Sequence, residues 1–272
     1  MKILTLLLIL FSSLAAQTGE IFYKADSLYN NENFFDAVTE YKRLLFFDAN
    51  EKYSYEANFK IGLSYKAGGY FDNAIEFLAK ALKNAKTEEK RYPAFVEIIR
   101  CNILRKTTDN ALTLLKNAIE NGEYLSRKNE IYYWMGWAEM FADRWNEASA
   151  AFSRIEVEHP LKKFASQVHN KKYDVTFAKL ISYILPGSGQ FYSGEYLSGV
   201  MSLGWTVLWG YVTVDAFASE RVFDGFMVGN LLWFRFYRGN YENAEKFALE
   251  KNNKIYIDAL LYLQNNFEGI KP

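Results

Sequence analysis

Small and bulky apolar positions recur along the first 160 residues with a period of 37 residues. In each unit a small or apolar residue is followed twelve positions later by an alanine: Ala25 and Ala37, Gly62 and Ala74, Ile99 and Ala111, Gly136 and Ala148. A bulky residue then follows each alanine by four positions: Tyr41, Leu78, Leu115 and Phe152. This pattern predicts four helix–turn–helix units, because a plain helical bundle would not need so constant an offset.

The small residues have a physical role in such units. Two antiparallel helices approach closely only where their side chains are short, so we expect Gly62 and Ala74 to lie on facing helices. Bulky residues such as Tyr65 and Phe77 would then fill the space between neighbouring pairs. Because one helix pair cannot bury its apolar face alone, the pairs are expected to stack.

This pattern resembles the tetratricopeptide repeat. Gly62, Ala74 and Ala81 match the three small positions of that family, Gly136 and Ala148 match two, and the third unit is degenerate at Ile99. The resemblance covers residues 20–160, and Pro160 ends the fourth unit. It implies an all-α fold, a right-handed helical solenoid whose concave face binds an extended peptide or a partner helix. Candidate groove residues on the first helices are Tyr23, Ser27, Asn58, Ser64, Tyr65, Tyr133 and Glu139.

The N-terminus has the three parts of a secretory signal peptide. Lys2 precedes an apolar run that ends at Phe11, and small residues follow up to Ala16. The run is too short to span a bilayer, so residues 1–16 are predicted to be removed on export. The alternative is a buried N-terminal helix. No cysteine follows the run, which argues against lipid attachment there.

The stretch LPGSGQFYSGEYLSG interrupts the helical pattern after a basic, amphipathic connector at residues 161–184. Residues 196–214 then carry no charge, which is long enough for a helix to cross a bilayer core. The PGxGxFYxG front end resembles that of small two-helix membrane hairpins, so residues 185–238 are predicted to form a glycine-rich turn and an apolar helical hairpin. The predicted turn residues are Pro186, Gly187, Gly189, Tyr192 and Gly194, with positive φ expected at Gly187 and Gly189 and close approach at Gly194 and Gly199.

The second helix of the predicted hairpin has weaker support, because its apolar segment, residues 225–234, has only ten residues. Both outer flanks are basic and the connecting segment is net acidic, which would place both flanks in the cytoplasm. The signal peptide places the repeats outside instead. The apolar segment therefore lies in an interface, spans a different membrane or packs against protein.

The C-terminal residues 239–272 return to the repeat pattern. RGNYENA is similar to AGGYFDNA of the second unit, and Ala244 and Ala248 stand where a second repeat helix would begin. We expect a repeat-like helix and a separate terminal helix, which cap the solenoid or pack on the apolar segment.

The remaining residues give no sign of catalysis. The formal net charge is zero, which argues against a nucleic-acid partner. Cys101 lies in an apolar helical pattern, His159 and His169 are expected to be exposed linker residues, and neither a metal site nor a cofactor site is predicted. Glycines 187 and 189 lack the lysine of a phosphate-binding loop. The carboxylates that recur at the repeat turns are expected to cap the following helices: Asp36, Asp72, Asp109 and Asp143.

Together these observations predict a non-enzymatic, exported scaffold of the bacterial cell envelope. Its groove would bind another envelope protein or a peptide segment, and residues 196–236 would contact membrane lipid. One alternative is a periplasmic assembly factor, similar to a chaperone, for outer-membrane clients. Another is a soluble ligand-binding protein or enzyme that uses the glycine-rich turn.

Overall fold

The computed structural model describes residues 17–155 and 158–272, and within them it is helical and contains no strand. The predicted signal peptide lies outside the described residues. The chain divides into two compact units. We call residues 17–165 together with Ile270–Pro272 the repeat unit, and Ser166–Gly269 the apolar unit. The prediction of an all-α fold is confirmed.

The repeat unit consists of consecutive antiparallel helix pairs. Each helix packs on the next along the chain, and first helices of successive pairs also meet, α3 with α5 and α5 with α7. The helices are α1 (17–30), α2 (Phe34–Phe47), α3 (Ser54–Ala67), α4 (Phe71–Asn84), α5 (Glu88–Leu104), α6 (Thr108–Glu120), α7 (Lys128–Phe141) and α8 (Trp145–Phe152). A 3₁₀ turn, Leu125–Arg127, precedes α7.

The period of 37 residues also appears in the backbone of the turns. The first helix of each pair ends with one residue at positive φ: Glu32 (60°), Gly69 (77°), Lys106 (62°) and Asp143 (61°). The next amide donates to the carbonyl five residues earlier, for example Tyr70 to Tyr65 at 2.9 Å and Arg144 to Glu139 at 2.9 Å. This is the Schellman arrangement, which satisfies the free carbonyls at the end of a helix. The same turn therefore recurs at the same position in all four units.

The small residues lie where the two helices of a pair meet, as the sequence predicted. The eight residues of the four small-residue pairs are all buried. A Cβ atom on Gly62 of α3 would lie 2.6 Å from Leu78 Cγ and 3.2 Å from the Ala74 carbonyl oxygen of α4. A Cβ atom on Gly136 would overlap the ring of Phe152 in the same way. In the second and fourth units the bulky residue four positions after the alanine, Leu78 or Phe152, therefore fills the space that the glycine leaves.

We expect Gly62→Ala to destabilise the repeat unit by about 1–2 kcal/mol, because the added methyl group overpacks the α3–α4 contact. This loss should exceed the gain in helix propensity of roughly 1 kcal/mol. Gly19→Ala is the matched control, since the nearest atom to its added Cβ is 3.9 Å away. Urea unfolding of both variants measures the difference, and equal midpoints would contradict the close packing.

The prediction that recurring carboxylates cap the helices is wrong. The residues at the cap positions are Asn33, Tyr70, Thr107 and Arg144, and none makes a side-chain cap hydrogen bond. Asp36, Asp72 and Asp109 lie inside the first helical turns, and Asp143 is the residue at positive φ.

Two of these carboxylates instead bind an arginine of the following unit. Arg105 donates to Asp72, and Arg144 donates to Asp109 at 2.9 Å.

The apolar unit is built on one long helix. The helices are α9 (Pro160–Lys171), within which the two units divide, α10 (Val175–Ile184), α11 (Ser188–Tyr192), α12 (Tyr196–Ala218), α13 (Val222–Val228) and α14 (Phe234–Asn266), with a π-helical segment Gly229–Trp233 between the last two. Helices α10, α11 and α12 pack on α14, and α12 also packs on α13 and the π-helical segment. Asp174 caps α10 by accepting from the Phe177 amide at 2.9 Å.

The prediction of a repeat-like turn at RGNYENA and a separate terminal helix is wrong, because α14 continues through both. Asn240, fully buried in α14, donates to the Ser182 carbonyl at 2.7 Å and accepts from the Gly187 amide at 2.7 Å. Gln190 donates to the Asn240 carbonyl at 2.8 Å. These bonds hold the glycine-rich turn against an unbroken helix.

Candidate functional site

A hollow of about 410 Å³ lies on the first helices of the repeat unit. We call it the first-helix groove. It is lined from α3, the 3₁₀ turn, α5, α7 and the end of the chain by Phe59, Tyr92, Pro93, Val96, Glu97, Arg100, Arg127, Glu130, Tyr133, Trp134 and Ile270. Its wall is mainly aromatic and aliphatic, with Glu97, Arg100, Arg127 and Glu130 as the charged groups.

A charge network fixes Arg100 in this groove. Glu97 accepts from Arg100 and, at 2.8 Å, from Lys66 of the preceding pair. All three side chains are largely buried, and Arg100 also lies over the Trp134 ring, 5.6 Å from its centroid. Burial lowers the pKa of Lys66 although Glu97 opposes the shift. Held by Glu97 and Trp134, the Arg100 guanidinium has little freedom and presents its second terminal nitrogen to the groove.

The last residues of the chain occupy this groove. Arg100 donates to the Lys271 carbonyl at 2.8 Å, and the Tyr133 hydroxyl donates to the Ile270 carbonyl. Burial raises the pKa of Tyr133, so its hydroxyl stays protonated and can donate. Two consecutive main-chain carbonyls are therefore recognised by side chains of two first helices.

A second hollow, of about 600 Å³, lies between α2, α3 and the start of α4. We call it the second-helix hollow; it is lined by Phe34, Phe35, Val38, Thr39, Lys42, Ser64, Tyr65, Gly68, Tyr70 and Asn73. Lys42 donates to the Tyr65 hydroxyl at 2.8 Å and lies 5.2 Å from the Phe77 ring centroid. Its chemistry is apolar and aromatic, with one cation.

Three of the seven predicted groove residues line one or the other hollow, and four line neither. Tyr133 lines the first-helix groove, whereas Ser64 and Tyr65 line the second-helix hollow. The other four are placed as follows: Tyr23 and Ser27 are exposed on α1, Asn58 is buried and donates to the Ser54 carbonyl at 2.6 Å, and Glu139 binds Arg144. A binding role for all seven stays a prediction.

Glu97 and Arg100 were missed by the sequence analysis, although the sequence carries a signal for them. Both are charged residues inside the apolar helical pattern VEIIR, three positions apart and so on one face of α5. A charged pair in an otherwise buried helix usually has a partner. The contribution of Ile270 and Lys271 carries no such signal, because it uses main-chain atoms.

The predicted residues form the glycine-rich turn, but Gly189 and Gly194 have each other's predicted role. Gly187 has φ +90°, as predicted, but Gly189 is helical within α11 and Gly194 has φ +78° with open space around it. A Cβ atom on Gly189 would overlap the Ala178 carbonyl and lie 2.6 Å from Ala244 Cβ. Gly189 therefore provides the close approach.

The other two predicted turn residues border this packing. Pro186 is half-buried before Gly187, and the Tyr192 hydroxyl accepts from the Asp174 amide at 3.0 Å. The turn is thus filled by its own chain, which gives no support to a ligand site there.

Helix α12 is long and apolar enough to cross a membrane, and among the described residues it is the one helix that meets this criterion. Only 11% of its apolar window is buried. Its exposed apolar residues run from one end to the other: Tyr196, Leu197, Val200, Met201, Trp205, Val207, Leu208, Tyr211, Val214 and Phe217. Gly225 and Gly229 pack against Phe217 and Thr213 of α12, with Cβ positions 3.0 Å from each.

The prediction of two exposed linker histidines is right about the exposure of His169, which lies in α9 and not in a linker, and it is wrong for His159. The His159 ring stacks on Phe152 at 5.3 Å and meets Tyr133 at 5.4 Å, and its Nδ1 accepts from the Leu161 amide at 3.2 Å. Burial lowers the pKa of His159 below its ordinary value of 6.5. Pro160, which directly follows, is the first residue of α9.

We expect acid to destabilise the repeat unit through His159. Because the folded pKa lies below 6.5, the unfolded chain takes up a proton first as the pH falls, so stability decreases from about pH 7 downward until the folded pKa is passed. His159→Gln should flatten this part of the pH profile of the urea midpoint, and the exposed control His169→Gln should not. An unchanged profile in His159→Gln would contradict the assignment.

No cluster of histidine, cysteine and carboxylate side chains suited to a metal ion occurs in the described part of the chain. Cys101 is buried, and burial raises the pKa of its thiol to about 11. The thiol is therefore neutral at physiological pH and is a poor nucleophile.

The comparison with known families concerns the second helix pair, α3 and α4. Residues 56–87 match the tetratricopeptide repeat family. The matched repeat contains Gly62, Ala74 and Ala81, the three small positions described above, and it supports a tetratricopeptide repeat protein. No curated protein and no solved structure matches the chain. Repeats of this family generally bind peptides or proteins, so the repeat unit is suited to protein–protein interaction.

Proposed function

We propose that this protein is an exported, membrane-associated scaffold of the bacterial cell envelope that binds a segment of another protein in the first-helix groove. The repeat unit would perform the binding, and the apolar unit would hold the protein at a membrane. A non-catalytic role is part of this proposal.

The observation that carries the membrane part is the outward face of α12. In water this helix would expose apolar side chains along all of its 23 residues. Monomeric soluble proteins rarely expose an apolar surface of such length, whereas lipid would cover it without loss. Tyr196, the first residue of α12, is of the type that favours membrane–water interfaces.

Two observations support the binding part. The first-helix groove presents fixed donors from Arg100 and Tyr133 beside an aromatic wall, and it holds a chain segment without regular secondary structure. Aromatic residues and arginine are the residue types that contribute most to protein interfaces. No comparable argument supports catalysis, since the thiol of Cys101 is buried and neutral.

The test is fractionation of the native protein. We expect it to remain in the membrane pellet after carbonate extraction and to be released by detergent, and we expect added protease to cleave the repeat unit once the outer envelope is permeable. In vivo crosslinking from exposed positions beside the groove should then capture an envelope protein. Release by carbonate, or protection of the repeats behind the inner membrane, would refute the proposal.

A further inference from the structure

We infer that Ile270–Pro272 is an intramolecular ligand of the first-helix groove, and that an extended segment of a partner protein binds there only by displacing it. This inference rests on the proposed function in one respect, namely that the groove serves to bind protein segments. The occupant it names is part of the chain itself.

The segment Ile270–Pro272 lies on the repeat unit. The last three residues belong to the repeat unit, although the residues directly before them, up to Gly269, belong to the apolar unit. They form no regular secondary structure, and Lys271 and Pro272 are half-buried. The chain end is thus ordered on the repeat helices by contacts with them, rather than by a helix or strand of its own.

The groove contacts this segment through its main-chain carbonyls. The Ile270 carbonyl accepts from Tyr133 and the Lys271 carbonyl accepts from Arg100, while the Ile270 side chain stays 67% exposed. Recognition therefore acts mainly on the main chain. Within a helix the carbonyls are already bonded to amides of the same helix. The groove consequently fits an extended segment with two free consecutive carbonyls and does not fit a partner helix.

The segment belongs to the same chain as the groove, and this connection strengthens its hold on the groove. A ligand joined to its receptor by the chain acts at an effective concentration of roughly millimolar, so even a weak segment can keep its site filled. A competing segment in solution then binds more weakly, because only the fraction of molecules whose groove is open can accept it. A partner overcomes this only with more contacts than the two main-chain bonds that the chain end makes.

The experiment uses a fluorescein-labelled peptide with the sequence of residues 265–272, NNFEGIKP, as the probe. It is titrated into the full-length mature protein in detergent and into the same protein ending at Gly269. We expect the shortened protein to bind the peptide at least about tenfold more tightly than the full-length protein, because its groove is open. Equal binding to both, or binding to neither, would overturn the inference.

Point variants of the shortened protein test the two donors. Tyr133→Phe removes one hydroxyl and keeps the ring, and it should weaken peptide binding about threefold to tenfold, the usual range for one neutral hydrogen bond. Arg100→Gln removes a charged donor, whose hydrogen bonds are stronger, and it should weaken peptide binding about tenfold or more. Tyr70→Phe, at an exposed tyrosine of the repeat unit that does not line this groove, is the control and should bind as the shortened protein does. Undiminished binding by both groove variants would place the peptide elsewhere.

A crosslink in the full-length chain guards against misfolding of the shortened one. With Cys101→Ala as background, a short bis-maleimide should join Val96→Cys, a groove-lining position, to Ile270→Cys within one chain, whereas it should not join Tyr70→Cys to Ile270→Cys. Absence of the first crosslink would overturn the inference. The outcome is independent of fractionation, so a failure of membrane attachment and a failure of groove occupancy can be told apart.

Discussion

A protein that carries Val207→Lys and Tyr211→Lys together should be lost from the membrane fraction that resists carbonate extraction. Both residues lie near the middle of α12 on its outward side, 60% and 70% exposed, so their replacement removes few contacts inside the apolar unit. A lysine near the centre of a membrane helix costs about 2.5–3.5 kcal/mol. The pair should therefore shift the distribution toward the soluble or aggregated fraction by more than about a thousandfold.

The matched control places the same charges on exposed aromatic residues of the repeat unit. Phe35→Lys and Phe46→Lys change side chains that are both 83% exposed, and this double variant should fractionate as the wild type does. Carbonate resistance of the α12 variant would show that this face contacts protein and not lipid. Release of the control variant would show instead that the repeat unit itself holds the membrane.

The repeat unit could be predicted from the sequence because its information is local and repeated. The offset of 37 residues indicated which residues pack within a pair, and the structure places Gly62 on Leu78 and Gly136 on Phe152 accordingly. Each unit supplies its own turn and its own small residues. A contact that recurs at one spacing needs no knowledge of the rest of the fold.

The apolar unit was predicted less well because its defining contacts join distant parts of the chain. RGNYENA has the composition of a repeat turn, but Asn240 and Ala244 are required on a continuous helix that packs on Ser182 and Gly189. A local pattern cannot show that contacts between residues more than fifty positions apart favour a continuous helix over a turn at RGNYENA. Tertiary packing here overrides the local preference.

The groove was only partly predictable for the same reason. Tyr133 was identified from its position on a first helix, but its partner is a main-chain carbonyl 137 residues away. Main-chain acceptors leave no mark in the sequence. The charged pair of Glu97 and Arg100, in contrast, could have been recognised as polar residues in an apolar helix.

Gly189→Ala should disrupt the apolar unit more than any other single methyl group added to its glycines within helices. The new Cβ would overlap a main-chain oxygen, that of Ala178, and would also press on Ser182 Oγ and on Ala244 Cβ at 2.6 Å. Side-chain ends can rotate away, but the Ala178 carbonyl belongs to α10 and Ala244 to α14, and both helices are fixed by the Asn240 bonds. We expect a loss of about 3 kcal/mol or more, the upper range for overpacking.

Gly204→Ala is the control that separates packing from backbone effects. Gly204 is also helical, in α12, yet no atom lies within 4 Å of its added Cβ, so this variant should be neutral or more stable by up to about 1 kcal/mol. Thermal unfolding in detergent, followed by tryptophan fluorescence and compared with the wild type, measures both variants. Gly189 lies where α10, α11 and α14 meet, so the methyl group added by Gly189→Ala must move a helix. A midpoint equal to that of Gly204→Ala would mean that these helices are not packed as described.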